Sequence, residues 1–135
     1  MTIFHAIGVA GTGVTVYRKW LDAVSDNIAN LNTVRPAGDE PFRARYVVAQ
    51  AAGDGQSGAG VNVGGIVLGP AEGRMVYEPD HPLADEGGYV RYPDIDLASQ
   101  MTQMIMAQRG YQANLAVVDR ARDSYQAALQ LGRGA

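Results

Sequence analysis

Residues 3–31 read IFHAIGVAGTGVTVYRKWLDAVSDNIANL, and this stretch decides the fold. Ile3, Ile7, Ala10, Val14, Tyr17, Leu21, Val24, Ile28 and Leu31 follow one another in alternating steps of four and three. Such a rhythm lays one apolar seam along an α-helix and cannot lie on one face of a strand, whose period is two. Arg18, Lys19, Asp22, Ser25 and Asp26 fall off the seam. At 1.5 Å per residue this helix would be about 43 Å long. Asn30, Asn32 and Thr33 supply stop and turn chemistry, and Pro36 closes the segment.

The other end of the chain repeats the pattern. Leu97, Met101, Met104, Gln108, Tyr111, Leu115, Val118, Arg122, Tyr125 and Leu129 take the same steps, with Gln108 and Arg122 as polar interruptions. Asp94 and Asp96 follow Pro93 and suit a helix N-terminus, and Gly132 suits its end. Residues 95–131 would span about 55 Å. Gly110 costs this helix about 1 kcal/mol relative to alanine. One seam alone does not offset the entropy of ordering so long a helix. The two ends are therefore expected to pair as an antiparallel coiled coil and to need neighbouring molecules as well. The apolar seam residues are the expected assembly interface, and the ends of an isolated chain are expected to fray.

The middle differs. Ten of the 17 glycines lie between Gly53 and Gly88. Phe42–Gln50, Val61–Leu68 and Arg74–Glu78 are rich in β-branched and aromatic residues and bounded by breakers, so three short strands are predicted. Residues 53–60 have the composition of a flexible loop. The expected fold is mainly α with a small β element. A helix over 1–33 and a helix over 94–135 form one axial unit, and a β-rich segment covers 34–93. Within that segment, Glu78-Pro79-Asp80-His81-Pro82 is expected to be a rigid corner that aims the β part relative to the C-terminal helix. Gly87-Gly88 would allow the reversal, and His81 would be positional rather than catalytic.

Chemistry finds little purchase. The 135 residues include no Cys, which excludes disulfides, thiolate metal sites and cysteine nucleophiles. The 11 basic residues are scattered and the net charge is −3, unlike a nucleic-acid footprint. Gly8-Val9-Ala10-Gly11-Thr12-Gly13 lacks the order of a phosphate loop, follows no strand and precedes no Lys-Ser/Thr pair, so close helix packing is the expectation there. Ser25 has no His at a partner position. The acids of 78–86 with His81 are the only candidate for a metal-dependent enzyme, and they lack the spacing of known metal motifs. No cofactor, metal or small-molecule substrate is expected. The first basic residue is Arg18, so no ordinary cleaved signal is expected, and no apolar run is long enough to insert in a membrane.

Three motifs carry a resemblance. Asn27-Ile28-Ala29-Asn30-Leu31-Asn32-Thr33 resembles the N-terminal motif of the bacterial flagellar rod and hook axial proteins. Tyr77 to Val90 (YEPDHPLADEGGYV), continued by Tyr92-Pro93-Asp94-Ile95-Asp96, is a second. Gln108-Arg109-Gly110-Tyr111-Gln112-Ala113-Asn114 resembles the family's S-R-x-Y-x-A-N, with Gln108 in place of Ser. Val34-Arg35-Pro36 departs from the Pro/Thr-Gly-Tyr/Phe that often follows the first motif. The family motif residues are thus Asn27, Ala29, Asn30, Thr33, Tyr77, Pro79, His81, Pro82, Gly88, Tyr89, Pro93, Arg109, Tyr111, Ala113 and Asn114.

The resemblance covers nearly the whole chain, and the length suits the small proximal-rod proteins. It implies a non-enzymatic subunit of the flagellar basal-body rod, a tube that crosses the periplasm, transmits torque and forms the export channel. The implied partners are copies of the same chain, the rod subunits FlgB, FlgF and FlgG, the base-of-rod adaptor FliE and the type III export apparatus, which passes such subunits with an uncleaved signal. The sister subunit FlgB is the nearest alternative identity.

Overall fold

A computed structural model describes residues 2–53 and 58–134. Two long helices flank a set of short strands: α1 (Ile3–Ala29), β1 (Arg35–Pro36), β2 (Arg45–Ala51), β3 (Val61–Leu68), β4 (Arg74–Tyr77), β5 (Tyr89–Tyr92) and α2 (Leu97–Arg133). The fold is mainly helical with a small β element, as the two periodic ends require.

The helices run antiparallel along each other. Phe4 meets Tyr125 edge to face at 5.3 Å, Gly13 meets Asn114, Tyr17 lies on Gly110, and Asn27 bonds to Gln100. α2 is ten residues the longer (37 against 27). With Phe4 opposite Tyr125, residues 126–133 continue past the start of α1 for about 12 Å at the helical rise.

Capping sets the helix limits. Thr2 Oγ1 accepts from His5 N at 3.2 Å to start α1. Asn30 caps the end: its backbone N–H and its Nδ2 both donate to the Asp26 carbonyl, at 3.1 and 2.9 Å, and Leu31 N turns to the Ile28 carbonyl three residues back instead of continuing the helix. The helix therefore stops two residues short of Leu31. Asp96 is the N-cap of α2, its carboxylate accepting from Ser99 N at 2.8 Å. At the far end Gly134, not Gly132, is the C-cap, and Gly132 stays inside the helix.

The strands form two separate sheets. β2 and β3 make an antiparallel hairpin whose register shifts between Val48 and Ala49. β2 begins at Arg45 rather than Phe42, after the buried Pro41 and Ala44, and the Ala44 carbonyl accepts from Gly69 N at 2.7 Å where the chain enters the hairpin. The hairpin lies along α1, fixed at both ends. Thr12 Oγ1 accepts from Val61 N at 3.0 Å, and fifteen residues on Asn27 bonds to Arg45. That separation is about 22 Å along a helix, close to the length of a seven-residue strand at roughly 3.3 Å per residue. Of the glycine-rich loop predicted over 53–60, residues 54–57 lie outside the described residues.

The second sheet has the order β1–β5–β4, all antiparallel. Sequence reading found neither β1 nor β5. β1 is two residues long, and β5 only four. Neither helix packs on this sheet among the described residues.

The 78–88 segment corrects the expected corner. It is the loop of the β4–β5 hairpin, closed by Glu78 N donating to the Gly88 carbonyl at 2.8 Å. It returns the chain onto its own sheet, so it does not aim that sheet at α2. Of the two glycines only Gly88 has a left-handed backbone (φ 80), and a Cβ there would press on the Tyr77 ring and Pro79. The approach to α2 is made instead by the buried Pro93 and Ile95.

Candidate assembly interface

The contact between the helices is built from small and polar residues. On α2 the stripe facing α1 holds Gln100, Ala107, Gly110 and Asn114, with Gln100 and Ala107 fully buried. On α1 the buried positions are Ala10, Gly13, Val16, Ala23, Val24 and Asn27. A Cβ on Gly13 would lie 2.5 Å from Asn114 Oδ1, and one on Gly110 would overlap the Tyr17 ring. These two glycines let the backbones approach. Close packing therefore explains Gly13, but Gly8 and Gly11 have open space around them. Tyr17 stacks on Trp20 at 6.0 Å, and Trp20 Nε1 donates to Gln103 Oε1 at 3.4 Å.

One amide ties the helices to the hairpin. Asn27 is fully buried, donates Nδ2 to Gln100 Oε1 (3.0 Å) and to the Arg45 carbonyl (2.9 Å), and accepts from Arg45 N at Oδ1 (2.7 Å). Its side chain thus behaves like one more peptide group at the start of β2. Arg45 adds an ion pair to Asp26 at 2.6 Å, half exposed to water.

The motif residues now have places. Ala29 is the last residue of α1, and Thr33 donates its hydroxyl to Asn30 Oδ1 at 3.2 Å, so the first motif is a C-terminal stop. Asn114 Nδ2 donates to the Gly110 carbonyl one turn back, holding the amide against Gly13. Tyr111 is half-buried, and Arg109 and Ala113 are exposed. In the 78–88 loop, Pro79 and Pro82 are exposed, and His81 Nδ1 accepts from Leu83 N. Asp85 accepts from Gly87 N and Tyr89 N, Glu78 accepts from the Tyr92 hydroxyl, and Tyr77 packs edge to face on Tyr89. The hydrogen bond to Glu78 and burial push the Tyr92 phenol above its ordinary range. These acids serve the loop separately, and no three metal-binding side chains converge among the described residues.

The seams divide. On α1, Ala10 and Val24 are buried, and Ile3, Ile7, Val14, Tyr17, Leu21 and Ile28 are half-buried, as is Leu31 just beyond its end. On α2, Met104, Tyr111 and Val118 are half-buried against α1, whereas Leu97, Met101, Leu115, Tyr125 and Leu129 are exposed. Ile105, Met106, Val117 and Leu131, off the seam, are exposed too. α2 thus carries large apolar side chains on sides that α1 does not cover. Sequence reading missed Gln100 and Arg45 as partners of Asn27. Gln100 gave little signal, because a polar residue on a helix usually marks a solvated face.

The chain is 34% identical to the flagellar basal-body rod protein FlgC of Salmonella typhimurium over 134 residues, covering 98% of this chain and the whole of that protein. The Yersinia enterocolitica FlgC is 37% identical with the same coverage, and that of Bacillus subtilis is 29% identical over 150 residues. The chain belongs to the FlgC family of flagellar basal-body rod proteins. Residues 86–131 also match the family described as flagellar basal body rod FlgEFG protein C-terminal, which spans β5, most of α2 and its contact with α1. These relatives do not favour the sister FlgB as the identity.

Proposed function

We propose that this chain is a structural, non-catalytic subunit of the bacterial flagellar basal-body rod, assembling with copies of itself and with other rod subunits through its two terminal helices. FlgB, FlgF and FlgG are the rod neighbours this reading names, with the adaptor FliE and the export apparatus at the base. The rod so formed crosses the periplasm, carries torque and encloses the export path, and the subunit reaches it without a cleaved signal.

The observation that carries this reading is the apolar surface of α2. Leu129 and Leu131 lie on the overhang that α1 does not reach, and Met101, Ile105 and Met106 stand exposed beside the pairing stripe. A water-exposed helix gains nothing from such residues, whereas a helix enclosed by neighbouring subunits does. The test is Leu129→Asp in a deletion strain complemented with the full chain. A carboxylate forced into a subunit contact costs several kcal/mol per copy, so rods and swimming should be lost while the purified chain melts as before. Normal motility of Leu129→Asp would refute the reading.

A further inference from the structure

The three-stranded sheet has two unlike faces. Strand alternation and register put Arg35, Arg91, Met75, Tyr77 and Tyr89 on one side and Pro36, Arg74, Val76, Val90 and Tyr92 on the other. Val90 is fully buried, whereas Tyr77 is 62% exposed and Met75 48%. On the open side Arg35 and Arg91 are direct cross-strand neighbours. Like charges so placed repel. Neither has a carboxylate within 4 Å among the described residues, whose ion pairs join other groups. Arg91 Nε is also buried without a hydrogen-bond partner. Within one chain this arrangement is a cost with no return.

Arginine, tyrosine and methionine are the residues that interface centres favour, and a guanidinium binds carboxylates in bidentate fashion. The chain itself displays the complement. Asp80 and Glu86 stand exposed on the β4–β5 loop, in no ion pair among the described residues. The loop is pinned to its own hairpin by Glu78 N to Gly88 O and Asp85 N to Tyr89 O.

We propose that the Arg35–Arg91 face of the sheet docks the Asp80–Glu86 loop of a second copy of this chain. Donor and acceptor are different patches of one surface, so the contact is heterologous and repeats from copy to copy, the operation that builds helical arrays. It deepens the rod-subunit reading, on which it rests, by adding a contact made by the sheet to those made by the helices.

Charge exchange in a complemented deletion strain tests it. Variant one is Arg35→Glu with Arg91→Glu, variant two is Asp80→Arg with Glu86→Arg, and variant three combines all four. Each of the first two should lower the yield of completed rods at least tenfold, and the third should restore at least half of it. Because Arg91 is partly buried, Arg35→Glu alone is run beside variant one, and each purified chain is checked for an unchanged melting curve. Full rod yield from Arg35→Glu and from variant two would overturn the proposal. So would a combined variant no better than the worse parent, which would assign the face to a different acidic protein. If the exchanges have no effect while Leu129→Asp still abolishes rods, the docking contact falls and the rod-subunit reading stands.

Discussion

Replacing Asn27 by alanine tests how the helices and the hairpin are joined. The substitution removes three hydrogen bonds and orphans the Arg45 N–H, the Arg45 carbonyl and the Gln100 amide. Each buried group left unsatisfied costs about 1–3 kcal/mol. The Arg45 backbone is only part-buried and recovers some of this from water, while Gln100 is 1% exposed and recovers none. The expected loss is about 3–5 kcal/mol, a large fraction of the roughly 5–15 kcal/mol that holds a domain together. Gln100→Ala should cost about 1–3 kcal/mol, since it orphans one Nδ2 hydrogen. The double variant should then be more stable than the sum of the two by about 1–2 kcal/mol, because the shared bond is lost only once. Urea unfolding of the purified full chain, followed by circular dichroism, measures all four corners of the cycle. An Asn27→Ala chain within 0.5 kcal/mol of the parent, or strict additivity, would refute the bridging role.

Other outcomes follow from the same contacts. Gly110→Ala gains about 1 kcal/mol of helix propensity but drives a Cβ into the Tyr17 ring, so its melting temperature should fall, whereas Gly8→Ala, with nothing within 4 Å, should raise it. Thr12→Val should speed hydrogen exchange at Val61 by removing its only side-chain acceptor among the described residues, and leave Arg45 slow at the other end. Ultraviolet titration should show a tyrosine ionising above the ordinary range, a step that Tyr92→Phe deletes and Glu78→Gln brings down. The folded chain holds that proton more tightly than the unfolded one. The resulting stability is present below pH 10 and is lost as pH rises through the folded-state value, so Tyr92→Phe should blunt the alkaline fall.

The two helices were legible because their periodicity extends over many turns, and local capping chemistry at Asn30 and Asp96 fixed their ends to within two residues. β3 was legible too, being a β-branched run between breakers. β1 was not, since Arg35-Pro36 has no strand character of its own and pairs only because β5 offers an edge. Nor was the loop over 78–88, where two prolines and two glycines fit a corner or a hairpin equally well.

What the sequence determined by itself was the presence of two amphipathic helices, their lengths, and an apolar surplus that one chain does not bury. Those are properties of neighbouring residues, set by hydrogen bonding and side-chain spacing along the backbone. Which residues face inward was decided by the tertiary structure. Seam positions Leu97 and Met101 stand outside while Gln100, between them, is buried. The reason lies in the partner. Tyr17 needs a position without a side chain, which Gly110 provides, and Asn27 needs an amide, which Gln100 provides. Both demands come from residues more than 70 positions away, and no local pattern records them.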